Sequence, residues 1–395
     1  MEIVEKTTHM IRKAGTLTFG LAFLLAPCTA DPLPAQEEPW GPILAEFSQQ
    51  IAADVETDDL GGITAGVVVG RDLIWARGFG WADREKGIPA GVNTIYRVGS
   101  ISKSFTAVVL LELWQQGVVD LDAPVLGVLP ELSELRGRPP GAPEITWRHL
   151  ASHTAGLIRE PDLEGAAEGP LERWEEKILS SIPATSYYAP PGESYRYSNI
   201  GFGILGYALG RVAGIPFTEL VDASLIRPLD MHSTGFVVTP AMAEHLAKGY
   251  ERRGDGVVDT ETPFLEHVGR GYKVPNGGVY STVGELGRFT SVLTAASTVP
   301  LLGPEARRLV ETPQTPEGSE TRYSFGFFLY EGEGGETLVG HSGSVAGYNA
   351  FLVFEPGSGI GVVLLRNYGE GKTNLGEAGR DLLDRLLAAG LRGEG

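Results

Sequence analysis

Residues 99–103 read Gly-Ser-Ile-Ser-Lys, and the apolar run that follows from Lys103 to Gln116 predicts a buried helix. Residues three apart on a helix face the same side, so Lys103 can reach the Ser100 hydroxyl. A serine becomes nucleophilic when a neighbour takes its proton, and an amine can do so once burial lowers its pKa. The N–H groups at the helix start also point toward any negative charge that develops there. The segment therefore predicts a nucleophilic Ser100 activated by Lys103, although a serine cap beside a solvated lysine has the same spacing.

A second motif, Tyr197-Ser198-Asn199, precedes a helical run that begins at Ile200. A phenol beside a cation can act as a base and then as an acid, and an amide can orient a lysine or a substrate. Tyr197 and Asn199 are therefore candidate site residues. A tyrosine packed at the start of a helix that Asn199 caps would give the same pattern.

A third motif, Gly340-His341-Ser342-Gly343-Ser344, lies in a predicted strand near the C-terminus. Glycines on a strand let a substrate backbone approach, and a backbone N–H there can complete an oxyanion hole. The alternative is a structural histidine on a strand.

These three motifs, in this order, closely resemble the serine β-lactamase-related hydrolases, in particular the class C-like branch with D-alanyl-D-alanine carboxypeptidases, D-aminopeptidases and esterases. The segments at residues 150–157, 277–282 and 341–356 carry the same resemblance, which extends over about residues 45–390.

The resemblance implies a role for each matched residue. Ser100 would form an acyl-enzyme, while Lys103 and Tyr197 would share the proton transfers, with the acylation base left open. Asn199 would hold Lys103 and a substrate amide. The backbone N–H groups of Ser100 and Ser344 would form the oxyanion hole, with Gly343 between His341 and Ser344 on the substrate-binding strand.

His341 stands where the family more often has lysine. A histidine is about half-charged only near pH 6.5, so we expect weaker recognition of the carboxylate that penicillins carry. Ester or amide hydrolysis is then favoured over true β-lactamase activity. A penicillin-binding or sensor protein that turns over slowly, and an inactive scaffold, are the two alternatives.

The remaining patterns predict an α+β fold. Strands are expected at residues 64–69 and 73–79 and again at 324–330, 337–341, 348–354 and 360–365, with a last helix over 375–389. One antiparallel sheet would be built from both ends of a single catalytic domain, residues 31–395. Its α/β lobe would comprise about residues 45–99 and 280–395, with a helical lobe over about 100–279 inserted into it.

The amino-acid composition of the chain limits the classes of partner that it can bind. The chain has 395 residues, is 42% hydrophobic and carries a formal net charge of −18, which disfavours nucleic acid and leaves a small molecule or peptide as the expected substrate. One cysteine excludes an intrachain disulfide and a thiolate metal cluster. Neither a cofactor nor a metal is expected, and the oligomeric state is left open.

The N-terminus predicts export. Lys6, Arg12 and Lys13 precede an apolar stretch over residues 14–26 and a small-residue end, as in a secretory signal peptide over residues 1–30. Plain cleavage is favoured over lipidation of Cys28, because Pro27 precedes that cysteine. No other segment is long and apolar enough to span a bilayer. The protein is therefore predicted to be periplasmic or extracellular.

Four other patterns in the sequence suggest sites of a different kind. Ser342 lies in a near match to a nucleophile elbow, but no histidine follows residue 341 to complete that triad. Residues 201–206 match a dinucleotide-binding pattern without the strand that should precede it, and indicate close helix packing instead. His149 and His153 have a metal-ligand spacing without a clear third ligand. Trp147, Tyr272 and Tyr348 are candidate pocket aromatics.

Overall fold

A seven-stranded antiparallel sheet forms the centre of this protein, whose computed structural model describes residues 39–294 and 301–391. The strand order is β3-β2-β1-β11-β10-β9-β8. The strands are β1 (Gly62–Val69), β2 (Asp72–Asp83), β3 (Ile88–Pro89), β8 (Phe328–Glu331), β9 (Thr337–Val345), β10 (Tyr348–Glu355) and β11 (Ile360–Arg366). Two short pairs lie outside the sheet: β4 (Tyr96–Arg97) with β7 (Tyr280–Ser281), and β5 (Glu251–Arg252) with β6 (Val258–Asp259).

Helices cover the sheet, and the described chain between its two groups of strands consists mainly of helices joined by loops. The α-helices are α1 (Gly41–Asp58), α2 (Ser102–Gln115), α3 (Trp147–Ala151), α4 (Trp174–Ser181), α5 (Asn199–Ala213), α6 (Phe217–Val221), α7 (Pro240–Ala243), α8 (Glu261–Leu265), α9 (Val274–Gly277), α10 (Val283–Ser291), α11 (Pro304–Glu311) and α12 (Leu375–Ala388). A π-helical turn at Asp222–Ile226 follows α6, and short 3-10 turns lie at Gly99–Ile101, Val125–Gly127, Pro130–Glu134, Leu171–Arg173 and Gly271–Lys273.

The sheet is buried on both faces, which explains why β11 is apolar along its whole length. Val362 and Leu364 pack with α1 and α12, whereas Val363 and Leu365 belong to the larger core that contains α2, α5 and α10. Successive side chains of a strand point to opposite faces, so one continuous apolar strand supplies both cores. The structure confirms the predicted α+β class and the antiparallel sheet built from two distant parts of the sequence.

Helix α2 lies in the larger core, as its sequence predicts. Phe105 on this helix stacks against Phe289 of α10, with 4.1 Å between ring centroids. A 3-10 turn at Gly99–Ile101 leads into α2, and Gly99 adopts a left-handed φ of +53°. Ser100 therefore lies half-buried at the entry to the helix, while Lys103 on the first turn is completely buried.

The predicted elements differ from the structure mainly at their ends. Strand β8 begins at Phe328 and not at residue 324, because Ser324 donates its backbone N–H to Phe327 and closes a turn there. Strand β9 continues to Val345, four residues beyond the predicted end. The sequence patterns did not predict α1. The predicted signal peptide and Cys28 lie outside the described residues, and the lobe boundaries stay a prediction.

Within residues 39–294 and 301–391, no single helix is long and apolar enough to span a membrane. One bent pair, α5 with Phe217–Ile226, meets the length and composition criteria together. Most residues of α5 are buried in the larger core.

Candidate active site

The predicted pair at the start of α2 is in contact. Lys103 Nζ lies 3.0 Å from Ser100 Oγ, so the spacing of three residues brings the two groups together. The same amine donates to the backbone oxygen of Asn276 at 3.0 Å. A neutral amine can keep one N–H on Asn276 and direct its lone pair toward Ser100.

Burial sets the charge state of Lys103. Its pKa is lowered well below the ordinary value, chiefly because the side chain is completely removed from water. The positive charges of Arg159 and Arg270 lower this pKa further, and Glu160 opposes them. Among the described residues, no carboxylate lies within ion-pair distance of Lys103 Nζ. The site therefore favours the neutral amine, the form that can accept a proton.

Tyr197 completes the cluster. Its hydroxyl hydrogen-bonds the Ser100 side chain, and Lys103 Nζ lies 4.8 Å from the centre of its ring. Burial raises the pKa of Tyr197, whereas the bond to Ser100 and the charge of Arg159 lower it. Burial is the larger effect, and the resulting pKa is about 12. At neutral pH, Tyr197 is therefore a phenol that can donate a proton, and only a minute fraction is phenolate.

Asn199 lies beside the cluster but makes a different contact from the one expected. Its amide donates to Glu160 Oε1 at 2.6 Å, and in the described part of the chain it makes no hydrogen bond to Lys103. Its Oδ1 atom is buried and has no hydrogen-bond partner among the described residues. Ser198, not Asn199, caps α5, because its Oγ accepts the N–H of Gly201 at 3.0 Å. Among the described residues, a buried acceptor thus remains unpaired two residues after Tyr197.

Two functional neighbours were missed by the sequence analysis. Asn276, on α9, accepts from Lys103 and donates its amide to the backbone oxygen of Asn199 at 2.9 Å, so it joins the two motifs. Glu160 accepts hydrogen bonds from Asn199 and Tyr272 and pairs with Lys273 at 3.1 Å. Burial raises the pKa of Glu160, but these contacts outweigh it and the net shift is downward. The predicted aromatic Tyr272 thus supports the site through Glu160.

His341 is buried and uncharged. Its Nδ1 donates to the backbone oxygen of Ser342 at 2.6 Å, because a carbonyl can only accept. In the neutral ring, Nε2 then accepts from the Tyr323 hydroxyl, 3.1 Å away. Burial, and to a smaller degree the neighbouring Lys103, lowers the pKa of His341 to about 3. The prediction that His341 is half-charged near pH 6.5 is therefore wrong, because desolvation disfavours the charged form of the imidazole.

Strand β9 lies directly against the Ser100 turn. Strand β8 pairs with β9 only as far as Gly340, which leaves the edge from His341 to Val345 facing residues 98–100. A Cβ atom added to Gly343 would lie 2.0 Å from the oxygen of Val98 and 3.2 Å from the nitrogen of Ser100. A Cβ on Gly99 would lie 2.7 Å from the nitrogen of Ser344. The two glycines thus let the backbone at Ser344 approach Ser100, as an oxyanion hole requires.

The other histidines and aromatics have structural partners. His153 accepts the N–H of Ser198 at 3.0 Å and packs against the Tyr197 ring, with centroids 4.1 Å apart. His149 accepts the N–H of Thr146 in a capping box. Trp147 and Tyr348 are buried in the larger core. In residues 39–294 and 301–391, no three His, Cys, Asp or Glu side chains are grouped to hold a metal ion.

The dinucleotide-like pattern is part of α5, and its glycines pack closely as predicted. A Cβ atom on Gly206 would lie 2.3 Å from the Pro275 ring, and one on Gly203 would lie 3.0 Å from Tyr272. These contacts hold α5 against the segment that carries Asn276.

A half-buried serine next to a buried lysine and a tyrosine, in an α+β fold with this sheet, defines a serine hydrolase or a penicillin-binding-protein-like protein. Comparison with known proteins agrees. The family model described as Beta-lactamase matches residues 47–386. The chain therefore belongs to the Beta-lactamase family.

Similar proteins share the fold at low sequence identity. Protein flp of Staphylococcus aureus (strain N315) is 24% identical over 324 residues, which cover 82% of this chain and 62% of flp. The chain thus spans 62% of the length of that relative. The octameric penicillin-binding protein homologue from Pyrococcus abyssi aligns with a TM-score of 0.72 and 25% identity, over 87% of this chain and 77% of its own. A D-stereospecific amidohydrolase from Streptomyces sp. aligns with a TM-score of 0.69 and 26% identity, over 83% of this chain and 95% of its own.

The close approach of β9 to Ser100 predicts the effect of a single methyl group. Gly343→Ala pushes the strand away from Val98, so we expect ester hydrolysis to fall by about a hundredfold or more, the usual cost of losing one oxyanion donor. Gly254→Ala is the matched control, because no atom lies within 4 Å of its added Cβ. Steady-state kcat/KM for a p-nitrophenyl ester measures both variants. Equal activity of the two variants would contradict the contact.

Burial of His341 predicts a loss of stability in acid. Its pKa is about 3 in the folded protein and 6.5 in the unfolded chain, so only the unfolded chain binds this proton between those values. The free energy of unfolding contributed by His341 is complete above pH 6.5 and declines as the pH falls toward 3. In His341→Gln, the proton uptake on unfolding near pH 5 is expected to fall by about one proton. Urea unfolding across this pH range measures it, and an unchanged pH slope would refute the prediction.

Proposed function

We propose that this protein hydrolyses an ester or amide through a covalent acyl-enzyme on Ser100. The observation that carries the proposal is the contact of Ser100 Oγ with the buried amine of Lys103 on one side and the Tyr197 hydroxyl on the other. Family membership supports a hydrolase of this kind. The Streptomyces relative, a D-stereospecific amidohydrolase, supports amide substrates among the possibilities.

In acylation, Lys103 is the base and Tyr197 the acid. The neutral amine takes the Ser100 proton as Oγ bonds to the substrate carbonyl carbon, and the N–H groups of Ser100 and Ser344 stabilise the oxyanion. The bond to the leaving group then breaks, and Tyr197 gives its proton to the leaving oxygen or nitrogen. The ammonium of Lys103 returns a proton to Tyr197. The raised pKa of Tyr197 and the lowered pKa of Lys103 favour this division of roles.

Deacylation uses the same groups in the opposite direction. A water molecule loses a proton to the Lys103–Tyr197 pair and attacks the acyl carbonyl, and Ser100 leaves with a proton from the same pair. The product acid is released and the enzyme returns to its starting protonation. We assign Asn199 the role of orienting a substrate amide, which its unpaired Oδ1 atom supports.

The neutral state of His341 favours esters and small amides over penicillins. Strand β9 offers no cation at this position for the carboxylate of a β-lactam. Esterase or D-aminopeptidase activity is therefore proposed ahead of β-lactamase activity, whereas D-alanyl-D-alanine carboxypeptidase activity, whose substrate also ends in a carboxylate, is proposed on family membership alone. The second candidate, a penicillin-binding protein that is acylated but turns over slowly, is supported by likeness to the Pyrococcus abyssi homologue.

Action outside the cytoplasm is part of the proposal. Its support is the N-terminal sequence, where a basic start precedes a short apolar stretch over residues 14–26.

Replacing the nucleophile tests the proposal. Ser100→Ala is expected to lower kcat/KM for a p-nitrophenyl ester by about a thousandfold or more, because the covalent route is lost. Wild-type protein is expected to gain one fluorophosphonate adduct by intact mass, and Ser100→Ala none. Ser342→Ala is the control, since Ser342 is the exposed serine of the elbow-like motif.

The outcomes separate the candidates. Full activity in Ser100→Ala would refute the acyl-enzyme, and labelling at Ser342 would transfer the role of nucleophile to that residue. A mass adduct from a β-lactam that persists for hours, without ester turnover, would favour the slow penicillin-binding protein. If the fluorophosphonate labels no residue, the result would favour an inactive scaffold over both candidates.

A further inference from the structure

An unbalanced positive charge lies beside the Tyr197 ring. The guanidinium carbon of Arg159 is 4.9 Å from the ring centre, and 61% of the Arg159 side chain is exposed. Glu160 is the carboxylate next to it, with Oε1 3.8 Å from Arg159 Nε and Oε2 3.1 Å from Lys273 Nζ. Two cations therefore share one carboxylate, which leaves one positive charge without compensation.

The carboxylate in this group is also engaged elsewhere. Glu160 accepts hydrogen bonds from Asn199 and from the Tyr272 hydroxyl, both inside the protein. Its 3.8 Å separation from Arg159 is longer than a hydrogen bond. Among the described residues, the ion pair of Arg159 with Glu160 is thus long and solvent-exposed. Such a pair contributes little to holding the guanidinium in place.

The other side of the site adds no opposing charge. His341 on β9 is neutral and has both ring nitrogens bonded to protein groups. Tyr197 is an uncharged phenol, and burial lowers the pKa of Lys103, which favours its neutral amine. The group formed by Arg159, Lys273 and Glu160 therefore carries a net positive charge, in a chain whose formal net charge is −18. A local positive site on an acidic protein attracts an anionic ligand to that spot.

We propose that Arg159, with Lys273 behind it, binds a carboxylate carried by the substrate, so that this protein prefers acidic esters or amides. This inference rests on the proposed function, because it assigns the substrate class of the Ser100 site. Arg159 replaces in role, but not in position, the cation that β9 lacks at His341. A guanidinium binds a carboxylate through paired N–H donors, which a single ammonium cannot reproduce.

The test compares matched charged and neutral substrates. One pair is the p-nitrophenyl monoester of terephthalate with its second carboxyl free, and the same ester with that group as a carboxamide. The other pair is p-acetoxybenzoate and p-acetoxybenzamide, which carry the charge on the leaving group. Both pairs are rigid, so the carboxylate cannot attack its own ester. The measured quantity is the ratio of kcat/KM for the anionic substrate to kcat/KM for the neutral one.

We expect the wild-type ratio to exceed the intrinsic hydroxide-reaction ratio by about tenfold in at least one pair at low salt. That factor corresponds to about 1.4 kcal/mol. Arg159→Gln is expected to remove the preference, Arg159→Lys to restore part of it, and added salt to reduce it. The matched control is Arg380→Gln, because Arg380 on α12 has the same arrangement over Tyr330, 4.8 Å from its ring centre. Its ratio is expected to equal that of the wild type.

Three results separate the possibilities. If Arg159→Gln lowers both members of each pair equally, Arg159 only positions Tyr197 and the inference is overturned. A wild-type ratio that equals the intrinsic hydroxide-reaction ratio in both pairs overturns the inference as well. In that case, ester turnover that depends on Ser100 leaves the proposed function intact. If wild-type protein hydrolyses no member of either pair, the proposed function itself fails.

Discussion

The buried amine of Lys103 is the constraint on which the site depends. A lysine side chain without a carboxylate partner is costly to bury as a cation, so the surrounding core determines its protonation state. Helix α2 lies in the larger core and holds the amine 3.0 Å from Ser100 Oγ. Asn276 then accepts one N–H of the amine and fixes its direction. The same packing that stabilises the fold thus prepares a proton acceptor next to the serine.

Neutral groups surround this amine, and charge is kept at a distance. Tyr197, Tyr323 and the ring of His341 form an uncharged layer around Ser100 and Lys103, and burial disfavours the charged form of each. Charged side chains begin at Glu160, where Arg159 and Lys273 meet one carboxylate. A negative charge that develops on a substrate therefore meets backbone N–H groups first and cations further out. This arrangement is suited to oxyanion stabilisation and leaves the amine uncharged.

The sequence was informative where the chemistry is local. The contact of Ser100 with Lys103 follows from helix geometry over three residues, and the buried strands follow from their apolar runs. Asn276 and Glu160 could not be found in this way, because they approach Lys103 and Asn199 from segments 173 and 39 residues away. The charge of His341 was missed for a related reason. Its pKa depends on burial beneath Tyr323 and on Lys103, which are tertiary contacts that a motif does not contain.

The most direct test of the central claim is the titration of Lys103 itself. Protein with isotope-labelled lysine can be followed by NMR across pH, with Lys103→Arg used to assign the resonance. The expected result is that the Lys103 amine loses its proton at a pH far below that of the exposed lysines, and that hydrolysis rises over the same pH interval. If Lys103 titrates together with the exposed lysines, the amine is a cation beside Ser100 and cannot be the base.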